Sequence, residues 1–240
     1  MGGRRISRGR GRVTHWATHS LVKVGRYETS WVTADRGTRF AGGSGSVLAE
    51  AAAARALSVV LRHQGRAVLA DRVTLAAADR VDAAGLSTPG RIGAYAQLLC
   101  TCAYNAAHAG DRDRALDLVA GAERAAVGGM SAAQVALYRV GVHWSLGDAG
   151  AAVEVGRRLH PGQFATAERR GRLHTDLARA WWLRGDAEQA ALALLAARRE
   201  APAEIRSRPS IRRLIDELAR RRPRAAGVAE LVRAGGARAG

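Results

Sequence analysis

Four glycines, Gly65, Gly110, Gly147 and Gly185, stand 45, 37 and 38 residues apart, and each is followed five residues later by an alanine: Ala70, Ala115, Ala152 and Ala190. Twelve residues after the same glycines come Ala77, Ala122, Leu159 and Ala197. A glycine that ends one helix in a left-handed cap, followed by a small residue on the inward face of the next, describes a helical hairpin whose two rods approach closely. Asp111, Asp148 and Asp186, each directly after its glycine, are placed to cap the second helix. A hairpin recurring at nearly constant period predicts an array of helix pairs.

The rest of the composition agrees. Hydrophobic residues make up 48% of the 240, but alanine is nearly half of that group and aromatics are only 5%. Alanine is the best helix former, and no alternating β-branched or aromatic pattern predicts strands. Helical segments are expected at about 47–63, 67–84, 90–109, 112–127, 131–146, 149–159, 166–184, 187–200, 209–221 and 225–234. In the segment 203–224, Ile211, Leu214, Ile215 and Leu218 form an apolar stripe, with Arg212, Arg213, Arg220, Arg221 and Arg222 off it, as in a helix closing the end of an array. Residues 1–46 are rich in Gly, Arg, Ser and Thr, lack a helical apolar period and end in AGGSGS. They are expected to be mostly disordered and to end in a flexible linker.

The net charge of +17 is uneven, at +7 over 1–46, +3 over 47–197 and +7 over 198–240. Basic ends of this kind attract phosphate backbones without reading sequence, or are simply solvated. Cys100 and Cys102 rule out a disulfide framework, and on a helix they point about 200° apart, so they neither bridge nor share a metal. No run of 18 apolar residues predicts a membrane span, and the arginine-led start lacks the apolar stretch of a signal peptide, so a cytoplasmic protein is expected. GxSxG, GxxxxGK[ST], HExxH and paired CxxC are all absent; no enzyme activity, metal or cofactor is expected. His108, His143 and His174 stand singly on or beside helices and read as packed side chains.

The run from Leu173 through Ala197 to Pro202, with Leu177, Ala178, Trp181, Gly185, Ala190, Ala197 and Pro202 in place, resembles the tetratricopeptide repeat. The implied fold is an all-α solenoid of three to four helical hairpins over 47–222, with a C-terminal capping helix and a basic tail at 223–240. More widely, Ala136–Ala152, His160–Asp176 and Ala201–Leu214 are similar to the C-terminal half of actinobacterial Xre-type helix-turn-helix transcriptional regulators. The resemblance covers roughly residues 48–222. It implies a regulatory domain that senses a peptide or protein partner, with a homodimer as one assembly; the alternatives are a nucleic-acid-associated protein acting through its basic ends and a stand-alone tetratricopeptide scaffold. Residues 1–46 show no helix-turn-helix, so DNA contact is expected only through a missing domain or the basic ends.

In such an array the first helix of each pair lines a concave face. Counting three, six and thirteen residues back from each glycine places Trp182, Arg179 and Arg172, then Trp144, Gly141 and Gln134, then Ala107, Tyr104 and Gln97 on that face. The expected partner-binding groove is therefore Gln97, Tyr104, Gln134, Trp144, Arg172, Arg179 and Trp182. Guanidinium, amide and aromatic groups together suit an extended peptide of acidic character. Trp181, turned about 100° from Trp182, belongs to the core on this reading.

Overall fold

A computed structural model describes Thr14 and residues 17–235, and the described residues are helical with no strand. A short helix α1 (17–23) is followed by α2 (Tyr27–Gly42), α3 (Val47–His63), α4 (Ala67–Ala83), α5 (Pro89–His108) and α6 (Arg112–Ala125). Then come α7 (Ala132–Ser145), α8 (Ala149–Arg157), α9 (Ala167–Leu183), α10 (Ala187–Glu200), α11 (Pro202–Ser207), α12 (Pro209–Arg221) and α13 (Val228–Gly235). They form two compact units, residues 1–135 and 136–240, with the division falling inside α7.

Each expected turn is a hairpin bend with one geometry. Gly65, Gly110, Gly147 and Gly185 have φ of 74°, 79°, 82° and 85°. In each, the glycine N–H donates to the carbonyl three residues back and the next N–H donates to the carbonyl five back, at 2.9–3.2 Å. These two bonds satisfy the last orphan carbonyls of the first helix, and the left-handed backbone they require suits glycine. The alanines beyond the bends are sealed: Ala70, Ala115, Ala152 and Ala190 are all 0% exposed. Ala77, Ala122 and Ala197 are buried too. Leu159 is half-buried and lies past the end of α8, because that helix has only 9 residues. There Gly156 makes the close approach instead, since a Cβ on it would stand 2.5 Å from Leu177 Cδ2 on α9.

The N-terminal expectation is corrected. The residues of 1–46 that are described are not disordered: 17–23 and Tyr27–Gly42 are helical, and Gly25, at φ 78°, bends them with the same pair of hydrogen bonds. Five residues on stands Ser30, 0% exposed, and twelve on stands buried Gly37. The seam rule holds here with Ser and Gly in place of Ala. Val22, Ala34 and Val60 join α1, α2 and α3 in one apolar cluster, and Thr18 donates to Thr33 Oγ1 at 3.0 Å. The Gly-Ser stretch is likewise no loose linker. Ser44 is buried and donates to the Ala41 carbonyl at 2.6 Å, while Ser46 caps α3. The rest of 1–46 lies outside the described residues.

In the unit 136–240, α9, α10, α11, α12 and α13 share a core of Ala178, Leu194, Leu195, Ile205, Ile211, Leu214, Ile215, Leu218, Val228 and Leu231. The α12 stripe Ile211, Leu214, Ile215 and Leu218 is buried in this core. Within the basic tail expected at 223–240, α13 (Val228–Gly235) forms close to the helix expected at 225–234, with Val228 and Leu231 buried in that core. The helical repeat domain expected over 47–222 has residues in both units. Among the described residues no helix is long and apolar enough to cross a membrane.

Candidate functional site: faces of the first helices

In the unit 1–135, α3 and α5 are the first helices of consecutive hairpins and lie against each other. Small residues on both, Ala51, Ala52, Gly90 and Ala94, leave a cavity of about 250 Å³ between them. Its walls are completed by Leu48, 40% exposed, by Leu98, and by the polar side chains of Arg55 and Gln97. Arg55 Nη1 also lies 2.9 Å from His19 Nε2 on α1. The site combines an apolar floor, one guanidinium and one amide.

Two turns beyond Gln97 on α5, Tyr104 carries the Arg62 guanidinium 4.8 Å over its ring and the His108 ring at 4.3 Å. Arg62 also donates to Asn105 Oδ1 at 2.7 Å, and Asn105 donates to Ser58 Oγ at 3.1 Å. This buried polar chain fixes α3 to α5 with its groups mutually satisfied.

In the unit 136–240 the expected groove residues gather around an acid. Asp176 is 2% exposed, one carboxylate oxygen 2.9 Å from Arg179 Nη1 and the other 3.3 Å from Arg172 Nε. The Arg172 guanidinium lies 4.4 Å over Tyr138 and that of Arg179 lies 4.9 Å over Trp144. Arg179 Nη2 also donates to Ser210 Oγ of α12 at 3.0 Å. Both arginine side chains are mostly buried, at 19% and 13% exposure.

Of the seven expected residues, Trp144, Arg172 and Arg179 are brought together, and Gln97 and Tyr104 share α5. Gln134 serves the helix end: its Oε1 accepts from the Ser131 N–H at 3.1 Å while Ser131 Oγ accepts from the Gln134 N–H at 3.2 Å. Ser131 and Gln134 have the spacing of a capping box, a signal present in the sequence. Trp182 is half-buried against the α9–α13 core, as is Trp181. Asp176, Tyr138, Ser210, Arg55 and Arg62 were not foreseen. Asp176 could have been, since it stands four residues after Arg172 and three before Arg179, the spacing at which helix side chains meet.

Two caps form as expected, with Asp111 accepting from Arg114 N–H and Asp186 from Gln189 N–H. Asp148 makes no such cap; its carboxylate lies 3.5 Å from His143 Nδ1 across the bend. Burial, and then the Asp71 carboxylate, push the Cys102 thiol up to about 12, while Asp71 pairs with Arg114. Among the described residues no group of three or more His, Cys, Asp or Glu side chains is arranged to hold a metal ion. No protein-family model matches the chain, and no curated protein is significantly similar to it.

Proposed function

We propose that the chain is a partner-binding module of tetratricopeptide-like helix pairs. On this reading it corresponds to the sensing half of an Xre-type transcriptional regulator and takes an extended peptide or protein segment on its first-helix faces. The observation that carries the reading is the α3–α5 cavity, whose lining includes Gln97, one of the groove positions, beside Arg55. A small aliphatic side chain would fill the apolar floor, Arg55 would take a carboxylate, and the Gln97 amide would pair with a peptide bond.

The test is a titration of the isotope-labelled chain with a pool of acidic, leucine-containing hexapeptides, read by amide chemical shifts. Saturable shifts on α3 and α5 around Arg55 and Gln97, lost in Ala94→Trp, are expected. Shifts that persist in Ala94→Trp, or none at millimolar peptide, would contradict the reading.

A further inference from the structure

A second concavity lies in the unit 136–240, between the α9–α10 bend and the segment joining α12 to α13. It is an open cleft of about 780 Å³ lined by Arg184, Asp186, Glu188, Arg221, Arg222 and Arg224, with small residues between them. We propose that this cleft holds the phosphate backbone of duplex nucleic acid without reading its sequence. The proposal is independent of the peptide reading, which rests on the α3–α5 cavity of the unit 1–135.

The charge balance in the cleft favours an anion. Four guanidiniums line the cleft against two carboxylates, Glu188 and Asp186, the latter also capping α10 at 3.0 Å from the Gln189 N–H. Arg184 lies 5.5 Å over the Trp181 ring, which orients it. Arg221 shares Glu217 at 3.2 Å but keeps 62% of its side chain exposed, so that pair is screened and weak. Arg222 and Arg224 flank Pro223, whose ring fixes the backbone between them, and both are exposed. Along α12 the basic surface continues with exposed Arg212, Arg213 and Arg220.

The rest of the lining decides between polyanions. Gly185, Ala187, Pro223 and Ala225 offer a peptide's side chains no apolar pocket of any size, and no aromatic ring lines the cleft for an unpaired base to stack on. What remains is an open, wide, arginine-rimmed concavity, whose planar donor forks match phosphate oxygens. A continuous row of phosphates engages several of them at once, which a single small anion cannot do.

The experiment measures binding of the full chain to a 20-base-pair duplex of arbitrary sequence between 50 and 200 mM salt. Arg222→Ala/Arg224→Ala is compared with Arg72→Ala/Arg124→Ala, two exposed arginines of the other unit, each variant's fold being checked by circular dichroism. Each lost phosphate contact lowers the steepness of log K against log salt by about 0.9, so the cleft variant should lose about 1.8 and bind more weakly, with the other variant little changed. A duplex of different sequence should bind equally. Equal losses in the two variants, absence of binding at 50 mM salt, or displacement of the duplex by poly-glutamate at matched charge would each overturn the proposal.

Discussion

The Arg179 guanidinium carbon stands 4.9 Å over the Trp144 ring, and its Nη1 lies 2.9 Å from the buried Asp176 carboxylate. One side chain thus joins α7, its own helix α9 and, through Ser210, α12. Removing the acid leaves two mostly buried guanidiniums without their carboxylate. Asp176→Ala is expected to cost about 3 kcal/mol of unfolding free energy, at the low end for a broken buried pair because the arginines keep some solvent. Arg172→Ala, which removes the longer contact, should cost less. Denaturant midpoints of the two variants provide the measurement, and a smaller loss for Asp176→Ala would contradict the assignment.

Both cysteines are buried, and the Cys102 thiol is pushed up to about 12. A thiol held neutral is a poor nucleophile. Neither cysteine is expected to react with an aromatic disulfide reagent at pH 8 while the chain is folded, and both should react in denaturant. Raising pH past the ordinary thiol range should destabilise the fold, because the unfolded chain then loses a proton that the folded one keeps. Fast labelling of a folded thiol would refute this.

His174 titrates in the opposite sense. Burial holds it below its ordinary value, against the raising effect of Glu200 and with a lowering contribution from Arg199. The unfolded chain therefore takes up this proton first as pH falls below about 6.5, and stability declines from there. Melting curves at pH 7.5 and pH 5 should show a larger drop for the parent chain than for His174→Gln. An equal drop would remove His174 from the account.

The bend at Gly25 predicts that α2 is a packed helix. Amides from Ser30 to Ala41 are expected to exchange with solvent as slowly as those of α3, against which α2 lies. Exchange within the dead time of the measurement would contradict this.

The differences between sequence and structure have physical causes. Helix α3 runs over 47–63 as its apolar period indicates, and the other large helical segments fall within two residues of expectation. Helix α2 escaped because its buried stripe is Ser30, Ala34, Gly37 and Ala41, which have helical spacing but almost no side-chain hydrophobicity. A search for alanine at the seam passes over Ser and Gly, although all three admit the same close approach. The division at 135/136 has no Gly, Pro or charge run to mark it, since it lies within a helix. Gln134 satisfied the groove spacing and a capping spacing at once, and residue counting alone could not separate them. The α3–α5 cavity depends on which small residues from two helices meet, a matter of packing rather than of period.

The small-residue seam carries the whole arrangement of paired helices, and it is tested most directly by comparing Ala190→Leu with Gln189→Leu in denaturant unfolding. Residue 190 is fully buried at the close approach while residue 189, its neighbour on the same helix, faces solvent. Ala190→Leu should lose about 1–3 kcal/mol through overpacking, with Gln189→Leu within about 0.5 kcal/mol of the parent. Equal stability of the two variants would contradict the seam.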